Sequence, residues 1–218
     1  MAFLTKLDQV AEKLRERIIA GEYERGQKLK QVDIAAELGV SVTPVREALK
    51  VLEMEGYIVS QPHKGLCVPE VDYDEVQEVF ELRLMLEREL TMRAVAQITG
   101  EGLESLKAAQ LEFTRYSEAG DVIAARAANV RFHFRLYELA GRPQTLQFVR
   151  VLWAKYPFNY RQQQTVRLKH IENEHEAFLR FVEAGDVQKA ADAMCSHLRS
   201  GWERVEKIMQ AELKKEPA

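Results

Sequence analysis

Residues 31–52 read QVDIAAELGVSVTPVREALKVL, and this stretch decides how the N-terminal part of the chain folds. Apolar residues recur at helical spacing on both sides of Gly39 and predict two short helices, over about 32–38 and 42–55. Gly39 lies in the turn between them, where glycine takes a positive φ angle without steric cost. Ser41 precedes the second helix and is a residue type that often caps helix N-termini. The pattern is that of a helix-turn-helix, although two helices of an ordinary bundle would show the same periodicity.

A further helix precedes this stretch, and a hairpin follows it. Apolar residues at helical spacing over 7–18 predict an amphipathic helix that ends at a glycine. Two short runs at 57–60 and 66–68 predict strands, and the residues between them have the composition of a tight turn. A hairpin directly after a helix-turn-helix is typical of a wing. We therefore predict a winged helix-turn-helix domain, with three helices and a small β-hairpin, over residues 1–70.

The second helix of the motif presents a polar face. Thr43, Arg46 and Lys50 fall off its apolar stripe at helical spacing and are expected to face outward together. In helix-turn-helix proteins the N-terminal part of this helix enters the major groove, where arginine binds guanine or phosphate. The residues that we predict to contact DNA lie on this helix start and at the hairpin tip: Ser41, Thr43, Pro44, Arg46, Lys50, His63, Lys64 and Gly65.

The overall charge does not by itself indicate DNA binding. The chain has a formal net charge of −3, and residues 1–69 contain equal numbers of acidic and basic side chains. A strongly basic domain would be the more usual electrostatic signal. The DNA-binding prediction therefore depends on where the basic residues lie rather than on their number.

The composition indicates a cytoplasmic globular protein. Hydrophobic residues make up 46% and charged residues 30% of the chain. No apolar run reaches the roughly 20 residues that span a bilayer, and the N-terminus does not resemble a signal peptide. Cys67 and Cys195 form neither a CxxC motif nor a disulfide framework. We therefore expect no association with a membrane.

The second part of the chain, residues 71–218, shows no strand signal and predicts an all-α antiparallel bundle of about six helices. The composition changes near Pro69 to Asp72, which we interpret as the boundary between two domains. The whole protein is thus predicted to be mainly α-helical. The expected helices span about 72–98, 102–118, 121–140, 142–157, 160–184 and 187–213.

Three of the five histidines occupy related positions in this bundle. His133 follows Asn129 by four residues, so both lie on one face of a helix. His175 and His197 lie on consecutive helices at similar distances from the turn at Gly185, so antiparallel packing would bring their rings to the same height. Three imidazoles form a sufficient set of ligands for Zn²⁺ or Ni²⁺. Each histidine taken singly would more often be an ordinary polar or core residue.

Arg83 lies within an otherwise apolar stretch over 82–87. A buried arginine needs an anionic partner. That partner is either Glu87, four residues further along the same helix, or the carboxylate of a bound effector, and the sequence leaves both open. The aromatic residues that could line a pocket or pack in the core are Trp153, Tyr156, Phe158, Tyr160 and Trp202.

The run GVSVTPVREAL at 39–49, followed by LEMEG at 52–56, resembles the signature of the GntR family of bacterial regulators, and its TPVREAL core is highly specific to that family. The helical remainder resembles the FadR-type (FCD) ligand domain, so the resemblance covers the whole chain. It implies a homodimer that binds a short palindromic operator on double-stranded DNA. Val42 departs from the pattern, because many members carry a basic residue that contacts DNA at this position.

His133, His175 and His197 resemble the ligands of the metal-binding subset of this domain. In that subset an aspartate usually stands where this chain has Asn129, a neutral and weaker oxygen ligand. Three neutral histidines and an asparagine leave the +2 charge of the ion uncompensated. We therefore hypothesise a divalent metal, Zn²⁺ or Ni²⁺, and a small carboxylate effector bound by Arg83 and Asn129; the resemblance favours Arg83 facing the pocket.

The sequence thus predicts a ligand-responsive transcriptional regulator, favoured as a repressor, with no catalytic residues. Three other interpretations stay open: a metal-dependent hydrolase, a pure metal sensor, and a metal-free member that binds an acyl-type ligand. Three histidines with an open position could activate water. However, Glu174, the neighbour of His175, is expected to point roughly 100° away from it on the helix and so to be poorly placed as a base.

Overall fold

The computed structural model describes residues 5–72, 74–156 and 164–213, and this part of the chain is mainly helical. A two-stranded hairpin separates three N-terminal helices from six that follow, as predicted. The described elements in chain order are α1 (Lys6–Ala20), α2 (Gln31–Leu38), α3 (Val42–Met54), β1 (Val59–Gln61), β2 (Gly65–Cys67), α4 (Val76–Gln97), α5 (Gly100–Glu118), α6 (Val122–Glu138), α7 (Pro143–Lys155), α8 (Gln164–Glu183) and α9 (Val187–Leu213).

Local sequence signals set the start and end of the N-terminal helices. α1 begins at a capping box, in which the side chains of Thr5 and Asp8 each accept a hydrogen bond from the other residue's backbone amide. Gly39 ends α2 with φ 65°, the left-handed conformation predicted for the turn. Ser41 occupies the predicted N-cap position of α3, but its side chain makes no capping hydrogen bond.

The hairpin is antiparallel and short. Val59 pairs with Cys67 and Gln61 pairs with Gly65. The first strand begins two residues later than predicted, because Tyr57 and Ile58 are fully buried in the core instead of pairing across the hairpin. The tip of the hairpin carries three of the predicted DNA-contacting residues, His63, Lys64 and Gly65. It extends from a base that is fixed by the buried Tyr57 and Ile58.

The six later helices form the predicted bundle. α4 packs against α6, α7 and α9, α5 packs against α6 and α8, and α8 packs against α9. One cluster of buried apolar residues runs from α1–α3 into this bundle, so the two regions share a continuous core. The domain boundary that we predict after residue 70 falls between β2 and α4 and stays a prediction. Phe158 and Tyr160 lie outside the described residues. No described helix is both long and apolar enough to cross a membrane.

A chain of charged side chains joins the end of α3 to the bundle. Arg15 donates from Nε and Nη2 to the two carboxylate oxygens of Glu55, at 2.6 and 2.9 Å, and from Nη1 to Glu12 at 2.7 Å. Arg150 of α7 donates to the same Glu12 at 3.1 Å and to Glu138 of α6 at 3.5 Å. Acidic and basic side chains alternate along this series, so each buried charge in the series has an oppositely charged partner. Such pairing is the condition for burying ions at all.

Further hydrogen bonds join the N-terminal helices to α6 and α7. Gln147 of α7 donates to Glu55 at 3.2 Å. Arg131 of α6 donates to Glu16 of α1 at 2.7 Å and to Glu112 of α5 at 2.9 Å. The N-terminal helices are thus held to α6 and α7 by directed polar contacts as well as by apolar packing.

We expect Glu55→Ala to lower the free energy of unfolding by about 3–5 kcal/mol, because it leaves the buried Arg15 guanidinium without its main partner. Urea unfolding followed by circular dichroism measures this change. Glu53→Ala, an exposed position on the same helix, is the matched control and should change stability by less than about 0.5 kcal/mol. Equal effects of the two substitutions would contradict the importance of this ion pair.

Candidate functional site

The three histidines predicted to converge do so between α6, α8 and α9. The Nε2 atoms of His133 and His197 are 3.1 Å apart, and one ring nitrogen from each of the three residues lies within 4.8 Å of the others. His133 and His175 are buried, and His197 is partly buried. The predicted arrangement of helices, with α8 and α9 side by side, is therefore confirmed.

Each of the three rings is oriented by a second polar group at Nδ1. Amide and carboxylate oxygens only accept hydrogen bonds, so the rings that contact them carry the proton on Nδ1 and direct the lone pair of Nε2 toward the other histidines. Metal-binding histidines are oriented in this way. The contacts are His133 Nδ1 with the Tyr137 hydroxyl at 3.0 Å, His175 Nδ1 with Gln110 Oε1 at 2.7 Å, and His197 Nδ1 with Glu174 Oε2 at 2.8 Å.

The centre of this cluster has the donor atoms that a divalent metal needs. His175 Nε2 and Asn129 Oδ1 are buried and have no hydrogen-bond partner in the structure. The Nε2 atoms of His133 and His197 face each other, so a cation or a proton must lie between their lone pairs. Three imidazole nitrogens thus fit a divalent metal ion, and Asn129 lines the same pocket as His133 and His197.

Burial keeps two of these histidines in the form that binds metals. It lowers the pKa of His133 and of His175 well below the usual value, and the nearby His197 lowers both further. Both rings are therefore neutral at pH 7, and only a neutral imidazole has the free lone pair that a metal requires.

Arg83 faces the same region and already has an internal partner. Its side chain is 3% exposed, its Nε donates to Glu87 at 2.7 Å, and its guanidinium lies over the rings of Trp153 and Tyr156 at 4.6 and 4.3 Å. Of the two partners that the sequence left open, the salt bridge to Glu87 is the one present here. Arg83 also lines the pocket beside the histidines, so its contact with an effector stays a prediction.

A small pocket of about 50 Å³, partly open to solvent, lies against His133 and His197. Trp202 does not line it and stacks on Phe80 instead, with ring centroids 4.8 Å apart. The lining residues are Arg83, Asn129, His133, Trp153, Tyr156, Ile171, Glu174, His197, Leu198, Ser200, Gly201 and Arg204.

Several of these pocket residues were not predicted from the sequence. Arg204 of α9 donates to Ser200 at 2.9 Å, and Glu174 contacts His197 on α9 and not its neighbour His175. The spacing of Arg204 and Ser200, four residues apart, was the only signal available. Which face of α9 meets the pocket depends on how that helix packs, and periodicity alone does not tell this.

The predicted DNA-contacting residues lie on the surface of the N-terminal region. Val45, Ala48, Leu49 and Leu52 form the buried stripe of α3, as predicted. Arg46 is exposed and lies 3.4 Å from Gln31, a weak contact that leaves it accessible. Their contact with DNA stays a prediction. Exposed members of the set are Ser41, Thr43, Arg46, Lys50, His63, Lys64 and Gly65, and Pro44 is partly buried.

Comparison with known protein families gives two adjoining matches. Residues 6–68 match the model of the bacterial regulatory proteins of the gntR family. Residues 78–200, more than half of the chain, match the FCD domain. Residues 69–77 lie between the two matches.

Individual relatives agree with these matches. The chain is 26% identical to the Nta operon transcriptional regulator of Aminobacter aminovorans over 195 residues, which is 88% of this chain and 90% of that protein. It is 28% identical to the HTH-type transcriptional regulator McbR of Escherichia coli over 172 residues, covering 77% and 78% of the two chains. The solved structure of E. coli McbR/YncC has the same fold, with a TM-score of 0.82 at 22% identity over 95% of this chain and all of that one.

We expect the metal-free protein to lose stability as the pH falls below about 6.5, the usual histidine pKa. The folded chain holds His133 and His175 neutral while the unfolded chain protonates them, so the unfolded state binds more protons in this range. Each of the two should contribute a slope of up to about 1.4 kcal/mol per pH unit.

Urea unfolding of chelator-treated protein between pH 7.5 and 5.5 measures this slope. His175→Gln should reduce it, and His63→Gln, at an exposed position of the hairpin, is the control. A free energy of unfolding that stays constant over this range would contradict the assignment of two neutral buried imidazoles.

Proposed function

We propose that the signal sensed by this protein is a small carboxylate bound to a metal ion. The chain belongs to the GntR family of bacterial regulatory proteins, carries an FCD domain and is a DNA-binding transcriptional regulator. The family and its relatives are regulators and not enzymes. The observation that carries the proposal is the meeting of ring nitrogens of His133, His175 and His197 within 4.8 Å of one another, beside a pocket that Asn129 also lines. The regulator would act as a cytoplasmic homodimer, and repression is the favoured mode.

The DNA side of the proposal places α3 in the major groove and the hairpin tip in the adjacent groove. Arg46 and Lys50 are exposed on the face of α3 opposite its buried stripe. His63 and Lys64 lie at the tip of the hairpin. Because the family resemblance implies a homodimer, the two copies of this surface would meet the half-sites of a palindromic operator.

The ligand side follows from the charges around the cluster. His133, His175 and His197, with Asn129, would bind the metal ion, and none of these four ligands brings a negative charge. A bound divalent ion would supply two positive charges, and the one carboxylate beside it, Glu174, would balance only one of them, so an anionic ligand would be attracted. Arg204 lies in the same pocket and adds a further positive charge. A small carboxylate is the ligand class that satisfies the metal and the arginine together.

The contacts between the two regions provide a route from pocket to DNA. α6 carries His133 and also Arg131, which binds Glu16 of α1. α7 carries the pocket residue Trp153 and also Arg150, which reaches the charges at the end of α3 through Glu12. A ligand that shifts α6 or α7 would therefore act directly on the DNA-binding helices, and one arrangement would be favoured over the other.

The other candidate roles are less well supported by these contacts. Glu174 accepts a hydrogen bond from His197 Nδ1, and its other oxygen lies 3.0 Å from His170 Nε2, so it is engaged as an orienting group and is not placed as a general base. A metal-free pocket for an acyl chain would leave His175 Nε2 and the amide oxygen of Asn129 buried without partners. A pure metal sensor differs in its test, since metal alone would then change DNA affinity.

Arg46→Ala should weaken binding to an operator selected from a palindromic DNA library by about 10–100-fold, because it removes a contact to guanine or to phosphate. Fluorescence anisotropy over a salt series separates the two: loss of a phosphate contact lowers the salt slope by about 1, and loss of a guanine contact relaxes the preference for one base pair. Arg93→Ala, on an exposed face of α4, is the control. An unchanged affinity in Arg46→Ala would contradict this placement of α3.

Native mass spectrometry of protein purified without chelators should show a dimer with about one divalent ion per chain, as expected for a three-histidine site. His175→Ala should lose the ion, and His63→Ala should keep it. Addition of small mono-, di- and tricarboxylic acids should then change operator affinity only in the metal-loaded protein. Arg204→Gln should weaken that response.

Protein that carries no ion before and after incubation with Zn²⁺ or Ni²⁺ would contradict the metal site. A response to metal alone, with none to any carboxylate, would instead support the sensor.

Because Arg83 is buried against Glu87, Arg83→Lys is a safer test of its role than alanine: it keeps the charge but loses the paired geometry of the guanidinium.

A further inference from the structure

We infer that Tyr137 and Glu87 are positioning residues for the proposed metal site, acting together to hold His133 in the tautomer that binds a metal. The inference rests on the metal site proposed above. It concerns two residues that lie outside the set of metal ligands, on α6 and α4. Their role follows from the number and direction of the hydrogen bonds around them.

The hydrogen bonds run in one direction from His133 to Glu87. Tyr137 contacts His133 Nδ1 at 3.0 Å, and its hydroxyl donates to Oε2 of Glu87. A hydroxyl has a single proton, so once Tyr137 donates to Glu87 its oxygen accepts from His133. His133 must then carry its proton on Nδ1, which leaves the lone pair on Nε2, the atom that faces His197.

Glu87 is placed to keep this direction. Its side chain is fully buried, and its other oxygen, Oε1, accepts from Arg83 Nε at 2.7 Å and from Trp153 Nε1 at 3.0 Å. Salt-bridged to Arg83, the carboxylate acts only as an acceptor and cannot reverse the bond to Tyr137. A fixed support behind His133 is thus formed by Tyr137, Glu87, Arg83 and Trp153.

His133 needs this support more than the other two histidines do. The rings of His175 and His197 contact Gln110 Oε1 and Glu174 Oε2, oxygens that only accept hydrogen bonds. The partner of His133 is a hydroxyl, which can either donate or accept. Without Glu87 the Tyr137 proton could turn to His133 Nδ1, which would move the histidine proton to Nε2 and block the metal-facing nitrogen.

The test compares Zn²⁺ affinity in the wild type, Tyr137→Phe, Glu87→Gln and a control. Tyr57→Phe is the matched control, since Tyr57 is fully buried, its hydroxyl has no hydrogen-bond partner, and it lies in the N-terminal region. Competition with a chromogenic chelator gives the dissociation constants. We expect Tyr137→Phe and Glu87→Gln to weaken Zn²⁺ binding by about 10–100-fold, the usual effect of losing such a supporting group. Tyr57→Phe should bind as the wild type does.

A second readout reports the tautomer directly and needs no metal. Long-range ¹⁵N–¹H NMR spectra of the metal-free protein distinguish protonation at Nδ1 from protonation at Nε2, with His133→Gln providing the assignment. We expect a proton on Nδ1 of His133 in the wild type and in Tyr57→Phe, and a loss of this preference in Tyr137→Phe and Glu87→Gln. A merely structural role for Tyr137 would lower the melting temperature without changing the tautomer.

The outcomes separate this inference from the proposed function. If the wild type binds no Zn²⁺, the metal site fails, and the tautomer measurement still decides the positioning role. If the wild type binds Zn²⁺ and folded Tyr137→Phe binds it within twofold as tightly, the inference is overturned. Should Tyr137→Phe not fold, Glu87→Gln decides by the same two criteria, because it keeps the volume of the side chain and removes its charge.

Discussion

The structure of the helical region depends on three imidazole nitrogens that point into one buried space. Lone pairs repel each other there unless a cation or a proton lies between them, and two of the rings are too deeply buried to be protonated at pH 7. α6, α8 and α9 pack so that one nitrogen of each ring lies within 4.8 Å of the others, and each ring is held by a hydrogen bond at its Nδ1. Gln110, Tyr137 and Glu174 make those bonds from three different helices.

Two of the helices around the pocket, α6 and α7, also contact the DNA-binding region. α6 and α7 contribute to the cavity on one side, and on the other they carry Arg131 and Arg150, which bind acidic residues of α1. Through Arg15 the contacts continue to Glu55 at the end of α3. A regulator needs two regions that respond to each other, and here the connection consists of ion pairs with defined geometry together with a continuous apolar core.

The DNA-binding region illustrates why placement matters more than composition. Its acidic and basic residues are equal in number, yet two of the acidic ones pair with arginines of the helical region: Glu12 with Arg150, and Glu16 with Arg131. Arg46 remains on the exposed face of α3. The surface offered to DNA can therefore be more positive than the charge of the whole region, because the acidic partners are used to hold the fold together.

Sequence periodicity was sufficient for the order of helices, the hairpin and the helix-turn-helix, because these depend on local spacing and on turns such as the one at Gly39. The pairing of His175 with His197 was also predicted from spacing, since positions on antiparallel helices determine height along the bundle, whereas the family resemblance added His133 to them. The sequence alone did not choose between Glu87 and an effector as the partner of Arg83, nor did it find Tyr137 as the link between Glu87 and His133. The bond from Tyr137 to Glu87 joins α6 to α4, and only the packing of the helices decides that these side chains meet, because rotation of a helix about its axis is not encoded in local spacing.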